Sequence, residues 1–278
     1  MRLYQAPAKV NLSLHVHPPA DDGYHPLESI VQTLEWTDLL EIEAAEDWHL
    51  VTENADLDSE SNLVSRAFEL MGISRISVRL IKRLPVAAGL GGGSSDAAAA
   101  LIAAADFGGA KESVNEHAAR LGADVPLFLD GGTQMMTGRG EVLEAMRPLR
   151  GFAIGVVVPD LHVSTSEVYA QWDAMEGPLG ETPPSAALPP ELRDSMPLRN
   201  DLLPAAIEVE PALGDFLADV RQTWGQPVLL TGSGPSCFGF FGSAEEAGEA
   251  VRSVGRTRAA AGVELRDHGV SRLAEPSP

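Results

Sequence analysis

The residues best suited to chemistry lie in Pro85-Val-Ala-Ala-Gly-Leu-Gly-Gly-Gly-Ser-Ser-Asp96, which runs directly into the alanine-rich stretch Ala97 to Ala105. Gly89, Gly91, Gly92 and Gly93 let the backbone take positive φ and come close to a ligand, while alanine is the strongest helix former. Ser94, Ser95 and Asp96 are the expected N-cap candidates. A helix N-terminus with free N–H groups attracts anions through its unpaired donors and its dipole, and phosphate is the usual guest. The spacing therefore points to nucleotide phosphate. A Walker loop would need a lysine directly after the last glycine, where Ser94 and Ser95 stand. A dinucleotide fingerprint would need serine in place of its third glycine and a later acidic residue that is missing. A plain linker is the remaining alternative, but these glycines sit between an apolar strand, Ile76 to Leu80, and a helix.

Bulk properties bound the other functions. A chain of 278 residues can build two lobes around substantial cores. Forty acidic against twenty basic residues give a net charge of −20, which repels nucleic acid and anionic membranes, so neither is an expected partner. The single cysteine, Cys237, excludes an internal disulfide framework and a cysteine-rich zinc site. No run reaches transmembrane length and the N-terminus lacks a signal-peptide core, so a cytoplasmic protein is expected. Monomer and homodimer both stay open.

The elements that must position the loop follow from periodicity. Residues 2–5 and 8–17 read as two strands around Pro7, which puts Lys9 at a strand entrance. Asp21-Asp-Gly-Tyr-His25 is a loop; residues 27–36 and 39–44 look extended, with Asp38 at a turn between them. A helix is expected over Asn62 to Met71, a basic strand over Ile76 to Arg83, and a helix over Ser113 to Leu121 that stops at Gly122-Ala-Asp124-Val-Pro126. A hairpin around Gly138 closes a first domain, residues 1–148. The second, 149–278, opens with Phe152 to Val158, too apolar to face solvent on either side. Helices follow at 164–174, 200–207, 211–224 and 244–254, with strands at 227–230 and 237–241. The proline-rich segment 177–198 reads as a mobile insertion, and the tail after Arg272 as frayed.

Pro7-Ala-Lys9-Val-Asn11-Leu, the Gly-Leu-Gly-Gly-Gly-Ser-Ser core and Leu230-Thr-Gly-Ser-Gly-Pro-Ser-Cys237 together resemble the GHMP kinase superfamily, over about residues 2 to 242. With Asp22-Gly-Tyr-His25 and Gly122-Ala-Asp-Val-Pro126, they resemble its branch that acts on a cytidine diphosphate alcohol in non-mevalonate isoprenoid synthesis. The resemblance implies an α/β (α+β), two-lobed GHMP kinase fold with the active-site cleft between lobes. It also implies ATP with Mg²⁺ as co-substrate, no protein-built metal site, and phosphorylation of the 2-hydroxyl of the methylerythritol portion.

By residue type alone, a lysine at a strand entrance and an aspartate at a helix junction are as readily surface residues as a pair. The resemblance assigns Lys9 and Asp124 to catalysis, the carboxylate orienting or deprotonating the hydroxyl and the ammonium stabilising charge. It further implies substrate binding by Asn11, Tyr24, His25, Thr165, Tyr169, Gly232, Ser233 and Gly234. For ATP it implies Gly89, Leu90, Gly91, Gly92, Gly93, Ser94 and Ser95 at the phosphates, and Asn62, Leu63, Lys82 and Pro85 around adenine. The sequence departs from the family at Ala87 and Ala88, where glycine is common. A sibling kinase of homoserine or a mevalonate derivative, a non-catalytic nucleotide-binding module and a dinucleotide oxidoreductase are the competing readings.

Overall fold

The computed structural model describes residues 1–21, 23–53 and 61–274. Asp22 of the Asp-Gly turn and the end of the expected frayed tail lie outside them.

The first sheet is built on two long strands, β1 (Arg2–Asn11) and β3 (Leu27–Ala44), paired antiparallel with Lys9 opposite Thr33 and Asn11 opposite Val31. Each runs unbroken through a point where a break was expected, Pro7 in β1 and Asp38 in β3. Pro7 stays inside β1 because the register shifts between Pro7 and Ala8, and a bulge tolerates a residue with no N–H to donate. Asp38 lies within β3 rather than at a turn, fully buried. The remaining strands are β2 (His15–Val16), β4 (His49–Thr52), β5 (Ile76–Ile81), β6 (Thr133–Thr137), β7 (Val142–Ala145) and β12 (Ser271–Arg272). The central order is β12-β1-β3-β5-β4, with β2 and β6 on β3 and β7 on β6. Only β4 and β5 among these pair parallel, joined through helix α1 (Leu63–Leu70).

One face of this sheet is covered by α1, α2 (Gly92–Asp106), α3 (Val114–Leu121) and α4 (Leu127–Asp130). The alanines of α2 are almost all fully buried beside Tyr4, Leu40, Val64 and Val78, and their small size lets the helix, and so the glycine loop at its head, sit close to β1. Helix α2 begins earlier than expected. Its N-cap is Gly91, in the left-handed conformation (φ 71°), with no side-chain cap, and Ser94 to Asp96 lie inside the helix.

The second sheet is antiparallel, in the order β11-β8-β10-β9: β8 (Ala153–Pro159), β9 (Leu229–Leu230), β10 (Cys237–Phe241) and β11 (Thr257–Glu264). Helices α5 (Thr165–Ala174), α6 (Leu203–Val209), α7 (Pro211–Trp224) and α8 (Ala244–Arg252) complete this lobe. Every residue of β8 is buried. Ile154, Val156 and Val158 meet Val10 and Leu34 of the first sheet and Leu12 just beyond β1, while Val157 faces the helices. The lobes are thus joined by a continuous core, with the chemistry at its rim.

The expected mobile insertion is docked: Leu188, Leu192 and Leu198 are buried in the inter-lobe core, and Trp172 Nε1 donates to Pro178 O at 3.1 Å. Its prolines break regular structure while its leucines fill core positions. Nor is the start of the tail frayed, since Leu273 N donates to Leu3 O at 2.8 Å. Through β12 the residues 149–278 contribute to both sheets.

Candidate active site

Two clefts meet at the glycine loop. The first, about 470 Å³, is lined by Asn62, Leu63, Lys82, Pro85 and the run Val86 to Ser94, together with Ser61, Leu80 and Asp96. The second, about 270 Å³, is lined by Lys9, Asn11, Asp124, Thr165, Tyr169, Gly232 and Ser233, with Arg139 and Gly140 from the β6–β7 hairpin. Gly89 and Gly91 line both. A group bound through the loop's N–H donors in one cleft therefore borders directly on the other.

The loop holds this position through backbone contacts that exclude side chains. A Cβ on Gly89 (φ 77°) would lie 3.0 Å from the carbonyl oxygens of both Thr231 and Gly234. Lys9 N donates to Leu90 O at 2.9 Å, and Ser236 Oγ donates to Ala88 O, so the loop is tied to both lobes.

The loop around Gly232 is equally fixed. Asn200 Nδ2 donates to Leu230 O at 2.9 Å and Gly232 O at 2.7 Å, and Asn11 N donates to Thr231 Oγ1 at 2.9 Å. A Cβ on Gly232 would stand 3.6 Å from Asn11 Oδ1 and 3.9 Å from Lys9 Nζ. Ser233 Oγ lies 2.7 Å from Thr165 Oγ1 at the head of α5. Gly234 lies outside the cleft lining and points toward Leu230 and Leu213.

Lys9 is almost wholly buried at the base of the second cleft. Its ammonium donates to Asn11 Oδ1 at 2.7 Å and stands 3.9 Å from Asp124 Oδ2. Asn11 is itself fixed by Nδ2 donating to Ser29 Oγ at 2.8 Å. Asp124 projects from the turn between α3 and α4, with its side chain 39% exposed and so open to a ligand. The Tyr169 hydroxyl pKa is raised by burial and then by the charge of Asp124.

His25 and Tyr24 stand at the rim. His25 Nε2 is 2.8 Å from Asp173 Oδ1, and its ring centroid is 5.1 Å from that of Tyr169 and 5.4 Å from that of Trp172. Tyr24 is exposed and stacks under the Arg139 guanidinium at 4.3 Å. Sequence reading overlooked Arg139, though an arginine between two glycines at a hairpin tip was a visible signal.

Beneath the first cleft, Lys82 Nζ donates to Asp96 Oδ2 at 2.7 Å and to Asp38 Oδ2, while Asp38 Oδ1 accepts from Leu84 N at 2.7 Å. Lys82 therefore lines the cleft as a brace between two carboxylates. Burial opposes its charge but is outweighed by Asp96 and Asp38, which raise its pKa. Burial pushes the Asp96 carboxyl up to about 8; Lys82 opposes this and Asp38 adds to it. Asn62 Oδ1 accepts from Val64 N at 2.9 Å and so caps α1 as well as lining the cleft. Ser95 lies outside the lining, fully buried, and its Oγ and Asp96 Oδ1 have no hydrogen-bond partner among the described residues.

A glycine cradle opening onto a lysine, an aspartate and a second cleft between lobes defines a GHMP kinase. Residues 62–132 match the model of the GHMP kinases N terminal domain. The fold is shared by a homoserine kinase from Cytophaga hutchinsonii, 16% identical, with a TM-score of 0.63 over 98% of this chain and 97% of that one. A crystal structure of 4-(cytidine 5'-diphospho)-2C-methyl-D-erythritol kinase aligns at a TM-score of 0.75 with 33% identity, covering 94% of this chain and 98% of that one. The 4-diphosphocytidyl-2-C-methyl-D-erythritol kinase of a Nocardioides species is 39% identical, covering 87% of this chain and 89% of its own. That of Paramagnetospirillum magneticum is 38% identical, covering 90% and 93%. The chain belongs to the 4-diphosphocytidyl-2-C-methyl-D-erythritol kinase family.

Proposed function

We propose that the chain transfers the γ-phosphoryl group of ATP to the 2-hydroxyl of 4-diphosphocytidyl-2-C-methyl-D-erythritol, a step of non-mevalonate isoprenoid synthesis. The observation that carries this reading is the pair of clefts sharing Gly89 and Gly91, with Lys9 and Asp124 in the second. ATP enters the first cleft with its adenine near Leu63 and Pro85 and its phosphates on the N–H groups of the glycine loop. Mg²⁺ arrives with ATP and neutralises charge between the phosphates.

The alcohol occupies the second cleft. Its hydroxyl oxygen attacks the γ-phosphorus as the bond to the β,γ-bridging oxygen breaks, and the hydroxyl proton passes to Asp124. Lys9 stabilises charge on the transferred group. Arg139 faces the diphosphate, while Tyr24, His25 and Tyr169 at the rim take the cytosine.

The test is ADP release with MgATP and each of three acceptors: the cytidine diphosphate alcohol, homoserine and mevalonate. Turnover confined to the first, and lowered about 10²–10⁴-fold by Asp124→Asn, is the expected result. Turnover with another acceptor would discard the substrate and keep the class, and none with any would discard catalysis.

A further inference from the structure

Phe128 links the turn that carries Asp124 to the Gly91 position, beside which the Lys9 stem also lies. It is fully buried on α4, close behind Asp124. Its N–H donates to Val125 O at 3.2 Å, in the turn that carries Asp124. Its carbonyl accepts from Val270 N at 2.8 Å, and a Cβ on Gly269 would lie 2.1 Å from that carbonyl oxygen, so the returning C-terminal segment is pressed against it. The ring points the other way. A Cβ on Gly91 would fall 2.6 Å from Phe128 Cζ and 3.0 Å from Cε2, and only 3.1 Å from Lys9 Cγ. The ring edge, the lysine stem and the N-cap of α2 thus converge on one point.

Those three parts come from distant stretches of sequence: β1, the loop after β5 and the turn before α4. The lysine stem is long and flexible, and lying beside Gly91 at the same point as the rigid ring confines it more than Asn11 and Asp124 alone would. We propose that Phe128 is a positioning residue for phosphoryl transfer, its ring fixing Lys9 and Gly91 relative to the turn that carries Asp124. This rests on the kinase reading of the site. Reach is the distinguishing property: leucine fills the root of the ring's space but ends short of Gly91.

The experiment compares steady-state kinetics for MgATP and the cytidine diphosphate alcohol in the wild type, Phe128→Leu, Gly91→Ala and the double variant, each normalised to cooperatively folded protein. An inactive wild type would sink the kinase reading itself, separately from this inference. Misplacing reacting groups by an ångström costs on the order of 100-fold, so Phe128→Leu is expected to lose kcat by about 10- to 100-fold. Both KM values stay within about threefold, the signature of lost transition-state alignment rather than lost binding. In Gly91→Ala the added Cβ drives against the ring, and kcat falls. In the double variant leucine makes room, so Gly91→Ala costs at least about fivefold less there than in the wild type, as expected for residues in contact. Wild-type kcat in folded Phe128→Leu would overturn the proposal. Should Phe128→Leu not fold, Phe128→Met, whose flexible chain lacks the rigid ring and can bend away from an added Cβ, replaces it in both comparisons, with kcat per folded molecule expected between those of the wild type and Gly91→Ala. Effects that simply multiply in the double variant would overturn the proposal in either case.

Discussion

Lys9 Nζ donates to Asn11 Oδ1 at 2.7 Å while standing 3.9 Å from Asp124 Oδ2. The second distance is too long for a hydrogen bond. Asn11 thereby engages the ammonium and, on the mechanism proposed above, leaves Asp124 to accept the proton of the incoming hydroxyl. Replacing Asn11 with leucine would release the ammonium onto Asp124 and engage the carboxylate. We expect Asn11→Leu to lower kcat by about 10- to 100-fold with the ATP KM nearly unchanged. Loss of the amide also leaves Ser29 Oγ without its donor, at a cost of about 1–3 kcal/mol in stability. Steady-state kinetics and urea unfolding check both, and an unaltered kcat would show that Asn11 does not govern the pair.

Arg139 and Lys9 are the cations lining the second cleft, in a protein of net charge −20. An anionic substrate needs local positive charge, and Arg139 is held ready by the Tyr24 ring. Arg139→Ala should raise KM for the cytidine diphosphate alcohol by about tenfold or more, since hydrogen bonds to charged groups contribute about 1.5–3 kcal/mol. The ATP KM should stay put, because Arg139 does not line the first cleft. Equal changes in both KM values would argue against this division of labour.

Ala87 and Gly89 allow a matched pair of substitutions in the glycine loop. Ala87 holds φ 54° and Gly89 φ 77°, a region costing a residue with a Cβ about 1–2 kcal/mol. Ala87→Gly should therefore match or raise wild-type stability, by up to about 1 kcal/mol after the extra entropy of the unfolded chain. Gly89→Ala meets two carbonyl oxygens at 3.0 Å as well, and should destabilise by about 1–3 kcal/mol and weaken ATP. Thermal melts with and without an ATP analogue read both. Destabilisation by Ala87→Gly would remove the strain argument.

Legibility in the sequence followed the range of the forces involved. Glycine, proline and alternation are local, so the glycine loop leading into a helix, the helix near 164–174 and the buried β8 could be read directly. Pairing across the sheet is not local: Asp38 looked like a turn residue because its partners, Lys82 and the N–H of Leu84, lie more than forty positions away. The Gly91 cap was hidden because serine is the commoner choice, whereas here Phe128 and Lys9 leave no room for a side chain. The segment 177–198 was misread from its prolines, although its leucines carry its attachment to the core.

The Asp38–Lys82–Asp96 cluster makes stability depend on pH in a direction opposite to an ordinary ion pair. Burial pushes the Asp96 carboxyl up to about 8, with Lys82 opposing and Asp38 adding, against about 3.9 in an unfolded chain. Between those values the folded state holds a proton that the unfolded state has released. The contribution to stability is thus fully present below about pH 4, falls as pH rises, and is lost above about pH 8. Asparagine at this position keeps an acceptor for Lys82 without a proton to lose. Denaturant unfolding of the wild type and Asp96→Asn across this range should give curves that diverge, the variant gaining relative to the wild type from about pH 4 to about pH 8 and running parallel beyond. Above that range, ionised Asp96 adds a negative charge beneath the first cleft, so with ATP bound there as proposed the ATP KM of the wild type should rise where that of Asp96→Asn does not. Parallel unfolding curves throughout would mean that Asp96 is already ionised at neutral pH and that Lys82 balances both carboxylates.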